Sequence, residues 1–126
     1  IDLKKILDAR GNLTFIQSPD HISFKIERVF MTYDVPGGEI RGGHAYKSQE
    51  ELIIALSGSF DVIIIEKDGS KKTYQLNRPY YGLYIPAKKW RHMENFSTNS
   101  LGLHLSSSKY DPIEYVRDFN EFLSII

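Results

Sequence analysis

Short apolar runs rich in β-branched and aromatic residues recur at Leu13–Gln17, Phe24–Tyr33, Leu52–Leu56, Phe60–Glu66, Lys72–Leu76, Tyr81–Ile85 and Leu101–Leu105. Runs of this length and composition predict β-strands. Between them lie Arg10-Gly11-Asn12, Pro36-Gly37-Gly38, Gly42-Gly43, Ser57-Gly58-Ser59 and Asp68-Gly69-Ser70, residues that tolerate positive φ or initiate turns. Asp68-Gly69 reads as a hairpin tip. Many short strands with glycine turns predict an antiparallel sandwich or barrel whose alternate residues point into a shared interior. No repeat or linker divides residues 1–126, which read as a single domain.

The last segment changes period. Asp111-Pro112-Ile113-Glu114 offers an N-cap, a proline at the first helical position and a glutamate placed to complete a capping box, so a helix is expected to begin there. Tyr115, Val116, Phe119, Phe122, Leu123 and Ile126 follow the spacing of one helix face, which is expected to dock on the outside of the sheet.

Composition narrows the function classes. The chain carries 16 Lys+Arg against 16 Asp+Glu, four His and no Cys. Without cysteine there are no disulfides, no Cys-ligated zinc and no thiol catalysis. Balanced charge with no basic run argues against nucleic acid or an anionic membrane surface as the main partner. No apolar run approaches a membrane span. With no charged-then-apolar leader ahead of Ile1, a cytoplasmic location is expected.

Two stretches carry candidate chemistry. Gly38, His44, Glu51 and Gly58 fall at the spacing of the first cupin motif, with Tyr46 where its second histidine would stand. Pro86-Ala87-Lys88-Lys89-Trp90-Arg91-His92-Met93-Glu94-Asn95 resembles the second motif, with Lys88 in place of its glycine and Arg91 in place of its histidine. A metal-binding cupin places three histidines and one glutamate inside the barrel, a donor set suited to first-row transition metals. A guanidinium cannot ligate a cation and repels it, and a neutral tyrosine is a poor ligand. No catalytic metal is therefore expected, and His104 is the one residue that would rebuild a three-ligand site with His44 and Glu51. An interior with Arg, His and Tyr suits an anionic or polar organic ligand instead. Tyr46, two residues beyond His44 on a strand, is expected to share its face, whereas His92 alternates away from Arg91 and is expected outside.

Phe24-Lys25-Ile26-Glu27-Arg28-Val29, Arg41-Gly42-Gly43-His44-Ala45-Tyr46-Lys47, Leu56-Ser57-Gly58-Ser59, Tyr81-Gly82-Leu83-Tyr84-Ile85-Pro86, Trp90-Arg91, Tyr110-Asp111 and Tyr115-Val116-Arg117-Asp118-Phe119 together resemble the WxcM-like sugar nucleotide 3,4-ketoisomerases over nearly the whole chain. The resemblance implies an all-β fold, a small RmlC-like jelly-roll cupin barrel with one C-terminal helix. It also implies a metal-independent homodimer with swapped N-terminal strands and no cofactor. The implied reaction converts dTDP-4-keto-6-deoxyglucose into a 3-keto isomer, on a route to deoxyaminosugars of bacterial surface polysaccharide. Moving the ketone from carbon 4 to carbon 3 requires proton removal at carbon 3, an enediol-like intermediate and reprotonation at carbon 4.

A histidine base fits that demand, and the resemblance assigns it to His44. Tyr46, replacing the family's second histidine, would donate a proton or a hydrogen bond. Arg41 and Arg91 would hold the enediolate or the diphosphate, because their planar forks match oxyanions. Arg10, in the family's early Arg-Gly turn, would add to that clamp, and Tyr84 and Trp90 would line the pocket or stack on the base. Glu51 stands where the family often has Gln, and the Phe30-Met31 pair occupies a region where it often carries tyrosines. A buried Glu51 is expected to raise the basicity of His44. A non-catalytic cupin that binds a sugar nucleotide and a metal-dependent cupin enzyme are the alternative readings.

Overall fold

A computed structural model describes residues 1–126. Eleven strands run in chain order: β1 (Lys5–Ile6), β2 (Leu13–Thr14), β3 (Arg28–Tyr33), β4 (Arg41–Tyr46), β5 (Glu51–Ser57), β6 (Phe60–Ile65), β7 (Lys71–Leu76), β8 (Gly82–Ile85), β9 (Trp90–Glu94), β10 (Leu101–Ser106) and β11 (Tyr115–Val116). One helix, α1 (Phe119–Ile125), closes the chain. A four-stranded sheet in the order β3-β10-β5-β8 faces a five-stranded sheet in the order β11-β4-β9-β6-β7, and β1 pairs with β2 alone. This is the all-β jelly-roll barrel expected, with its single helix at the C-terminus. The Asp68-Gly69 hairpin joins β6 to β7 in register from Phe60 opposite Leu76 to Ile65 opposite Lys71.

Away from the register shifts in β4 and at the start of β10, alternation assigns the strand residues to a face. Ile53, Ala55, Phe60, Val62, Ile64, Leu76, Ile85, Met93 and Phe96 form the apolar interior between the sheets. Leu52, Ile54 and Leu105 point the other way and are covered by Leu3, Ile22 and Phe24 of the N-terminal segment. Covering both faces explains why β5 reads as an unbroken apolar run. Residues 1–3 lie along the segment leading into this chain's own β8, where Leu3 N donates to Tyr80 O at 2.7 Å and Asp2 bridges to Tyr81.

The expected helix from Asp111 does not form as one piece. Pro112–Glu114 make a single 3-10 turn capped by Asp111, Tyr115–Val116 leave as β11, and the helix starts after a second cap, Asp118. Two competing contacts account for the break. The Glu114 carboxylate, instead of returning to Asp111, accepts from the backbone of Ser48 and Gln49, the latter at 2.6 Å. Tyr115 and Val116 pair with Tyr46 and Ala45 of β4, and the hydrogen bonds of that ladder replace those of another helical turn. The apolar face survives: Phe119 and Phe122 pack against Trp90 at ring distances of 5.2 and 5.6 Å on the outside of the five-stranded sheet.

Candidate active site

At one end of the barrel the inward positions turn polar. Arg28, Phe30 and Thr32 come from β3, Glu51 from β5, His104 from β10, His44 and Tyr46 from β4, Arg91 from β9 and Tyr115 from β11. Most of them line a cavity of about 480 Å³, with Arg41 and Arg117 at its rim. That volume falls in the range of small-molecule sites.

The backbone at His44 is set by two glycines. Gly42 and Gly43 adopt φ of +91° and +72°, and the β4–β9 register slips between Gly42 and His44. A Cβ on Gly42 would lie 3.1 Å from His92 Cα and 3.3 Å from the Arg91 carbonyl oxygen, so the bulge needs glycine there. The slip brings His44 directly opposite Arg91. His44 and Tyr46 then share one face, with ring centroids 4.7 Å apart, and Tyr115 closes the group at 5.1 and 4.8 Å.

Arg91 is 2% exposed. Its Nε donates to the Lys89 carbonyl at 3.0 Å, its Nη1 reaches Glu51 Oε1 at 3.5 Å, and its plane lies 4.9 Å over the Tyr46 ring. Its Nη2 is buried and has no partner, and neither has His44 Nε2. Glu51 also meets His104 Nδ1 at 3.4 Å, and His104 Nε2 lies 3.2 Å from Thr32 Oγ1. Tyr46 and Tyr115 hydroxyls are 3.4 Å apart, and Arg28 Nη2 reaches both Tyr115 Oη and Gln49 Oε1 at 3.4 Å.

Electrostatics follow from this packing. Burial, reinforced by the Arg91 charge and only partly opposed by Glu51, pushes the His44 imidazole down to about 4. The expected rise from Glu51 is thus reversed, because desolvation and a facing guanidinium outweigh one carboxylate. Burial, Glu51 and Tyr115 push the Tyr46 hydroxyl up, so it stays protonated. For Glu51 burial works against ionisation, yet the His104 hydrogen bond together with His104, Arg91 and His44 holds the carboxyl below its ordinary value.

The structure therefore brings together His44, Tyr46, Glu51, Arg91 and Arg41, and leaves three expected site residues outside. Trp90 cannot share the interior with its neighbour Arg91, and its indole packs beneath α1. Tyr84 alternates with the inward Leu83 and Ile85; it faces out, stacks on Phe24 at 6.3 Å and donates to Glu50. Arg10 is a surface residue whose guanidinium pairs with Asp8 at 2.8 Å within its own loop. His92 faces away from the cavity, as alternation requires, toward Glu94 at 3.8 Å. No group of three His, Asp or Glu side chains is placed to hold a metal ion, so His104 does not complete such a site with His44 and Glu51.

Arg28, Thr32, Tyr115 and Arg117 join the site without having been singled out from the sequence. The signal for β3 lies in its inverted pattern: Val29, Met31 and Tyr33 are exposed, which leaves Arg28, Phe30 and Thr32 inside. Tyr115 and Arg117 carried a helical reading that placed them on a surface element.

The FdtA family, described as WxcM-like, C-terminal, matches residues 1–126. A TDP-4-oxo-6-deoxy-alpha-D-glucose-3,4-oxoisomerase of Aneurinibacillus thermoaerophilus is 37% identical over 127 residues, covering 100% of this chain and 90% of that protein. The WlaRB TDP-quinovose 3,4-ketoisomerase of Campylobacter jejuni superposes with a TM-score of 0.91 at 38% identity, covering 98% and 94% of the two chains. A variant of the 3,4-ketoisomerase QdtA from Thermoanaerobacterium thermosaccharolyticum, in complex with TDP-4-keto-6-deoxyglucose, gives a TM-score of 0.94 at 32% identity over 98% of this chain and 89% of that one.

Proposed function

The chain belongs to the WxcM-like FdtA family, and from that membership we propose that it is a sugar nucleotide 3,4-ketoisomerase acting on TDP-4-keto-6-deoxyglucose. The observation that carries the assignment of roles is the pair of buried, unpartnered nitrogens, His44 Nε2 and Arg91 Nη2, on residues that face each other across β4 and β9. A neutral imidazole with a free ring nitrogen accepts a proton, and a guanidinium with a free Nη2 donates to an oxyanion. One group serves carbon 3, the other the charge that develops on the ketone oxygen.

In this reading His44 Nε2 takes the carbon 3 proton, and the electron pair moves to form the carbon 3–carbon 4 double bond with an oxyanion on the former ketone. Arg91 Nη2 stabilises that enediolate, and desolvation makes the contact stronger than it would be in water. Tyr46, which burial keeps protonated, donates to the same oxygen. Transfer of the carbon 3 hydroxyl proton to the former ketone oxygen and return of a proton to carbon 4 leave a ketone at carbon 3 and a hydroxyl at carbon 4, which completes the isomerisation. Arg41 and Arg117 at the rim meet the diphosphate, for which planar cationic forks are suited.

The reading extends to a homodimer, supported by the exposed apolar row Val29, Met31 and Tyr33 on the edge strand β3, and to a cytoplasmic enzyme of deoxyaminosugar synthesis. The central test is proton NMR of the protein with TDP-4-keto-6-deoxyglucose in heavy water. A 3-keto isomer carrying deuterium is expected, and His44→Asn should abolish it while leaving the fold intact. Undiminished turnover by that variant removes His44 from the base role. Saturable binding with no exchange identifies a sugar nucleotide binding protein instead.

A further inference from the structure

In the wall of the cavity runs a buried chain of side chains of which the isomerase reading gives a role only to Arg91. It starts at Thr32 on β3, passes through His104 on β10 to Glu51 on β5, and ends at Arg91 on β9. His104 and Glu51 are each 2% exposed. The His104 ring lies flat on Phe30, with centroids 4.4 Å apart and planes 10° from parallel, and the Arg28 guanidinium lies 4.9 Å over the Phe30 ring.

The hydrogen-bond pattern puts a proton on one ring nitrogen of His104. An ionised Glu51 only accepts, so Nδ1 of His104 carries a proton and donates at 3.4 Å, and Nε2 is paired with the Thr32 hydroxyl at 3.2 Å. Both ring nitrogens are occupied, and the ring has none to offer a substrate. What it governs is Glu51. That carboxylate is wholly buried, its Oε1 receives only His104 and one 3.5 Å contact from Arg91, and without the His104 donor burial favours the neutral acid. Arg91 in turn is oriented by just two hydrogen bonds, one to the Lys89 carbonyl and one to Glu51, so the direction of its free Nη2 depends on where the Glu51 carboxylate sits.

We propose that His104 is a positioning residue for isomerisation: by donating to Glu51 it fixes the carboxylate that aims Arg91 Nη2 at the enediolate oxygen. The inference rests on the ketoisomerase reading and adds to it a residue whose two ring nitrogens are both taken up by protein partners. Because the guanidinium is needed most when the oxyanion forms, loss of its aim falls on kcat and leaves ground-state binding little changed.

The experiment compares wild-type protein, His104→Phe and His104→Asn for turnover of TDP-4-keto-6-deoxyglucose and for binding of TDP by calorimetry. His104→Phe keeps the stacking on Phe30 and removes both hydrogen bonds; a drop in kcat of about tenfold to a hundredfold is expected, with KM and TDP affinity within about threefold of wild type. His104→Asn places an amide donor where Nδ1–H stood and should recover most of the loss. A kcat that His104→Phe leaves unchanged, equal losses in the two variants, or a loss confined to KM would overturn the proposal. Should His104→Phe not fold, Thr32→Val reads the same chain from its far end, supporting the proposal by a fall of about threefold or more in kcat at constant KM. An unchanged kcat in that variant overturns it. Wild-type protein that binds TDP without isomerising the sugar overturns both readings, whereas active wild type with an equally active His104→Phe overturns only this one.

Discussion

The depressed basicity of His44 has a measurable consequence for stability. In the unfolded chain this histidine titrates near 6.5, and in the native protein, buried against Arg91, near 4. Between those values the unfolded state binds more protons than the native state, so stability rises with pH across the window and falls as pH drops from 6.5 toward 4. The full difference corresponds to about 3 kcal/mol at 1.36 kcal/mol for each unit. The loss works out at under 1 kcal/mol at pH 6, about 2 kcal/mol at pH 5 and about 3 kcal/mol at pH 4. His44→Asn removes the titrating group, so the difference between wild-type and variant unfolding free energies isolates this contribution. Glu51 enters only at the acid end of the window, since its contribution starts to be lost as pH falls through its ordinary 4.5, and because His44 is the last of the groups holding it down, most of that loss is common to both proteins. Urea unfolding of the two proteins at half-unit steps from pH 8 to pH 4 gives the curve. A flat difference, or one complete by pH 6, would refute the claim that the native imidazole is held neutral by burial and Arg91. The same imidazole gives kcat/KM no acid limb between pH 5 and 8, so activity should be level there as far as His44 is concerned.

Arg91→Met should destabilise the protein by about 3 kcal/mol or more in urea unfolding, because it removes the facing guanidinium and leaves the buried Glu51 carboxylate with His104 as its one partner. The same variant should raise the His44 titration midpoint seen by NMR, since the Arg91 charge is the second cause of its depression. Gly42→Ala forces a Cβ to 3.1 Å from His92 Cα at φ +91°, and should cost about 1–3 kcal/mol while lowering kcat through the displaced His44; wild-type melting and turnover would refute the bulge argument. For the apolar row on β3, Met31→Lys should shift the mass measured by light scattering from dimer to monomer, and a variant that stays dimeric moves the interface elsewhere.

Much of this architecture was legible from period and punctuation. The apolar runs mark the sheet strands β3, β5, β6, β7, β8 and β10 within a few residues, and the two motif-like stretches contain β4 and β9. Alternation alone was enough to pair His44 with Tyr46 and to turn His92 outward. Applied once more it also excludes Trp90, since two consecutive strand residues cannot both face the barrel interior, and Tyr84, whose neighbours Leu83 and Ile85 are core. What local pattern did not carry was competition from distant chain. Asp111 to Glu114 has every feature of a helix start, and the segment forms one turn before β4 captures Tyr115 and Val116. That capture puts Tyr115 in the site and Arg117 beside it, with the guanidinium 4.5 Å over the Tyr115 ring.

The sign of the His44 shift was lost for a related reason. The motif spacing brings Glu51 and the histidine into one interior, and says nothing about how far the barrel removes both from water or that Arg91 lies opposite. Once that is known the balance is decided by desolvation, and the site's chemistry follows from where the barrel's interior changes character. Its apolar end holds Phe60, Val62 and Leu76 fully buried, each contributing about 1.5–3 kcal/mol, and this supports a polar end in which a buried carboxylate and guanidinium together cost several kcal/mol. Pairing Glu51 with both Arg91 and His104 limits that cost without using every donor. Among the five buried nitrogens left without partners, which include Arg28 Nε and Nη1 and Gln49 Nε2, Arg91 Nη2 as donor and His44 Nε2 as acceptor lie on facing residues and are the groups that a ketone undergoing proton abstraction at the adjacent carbon requires.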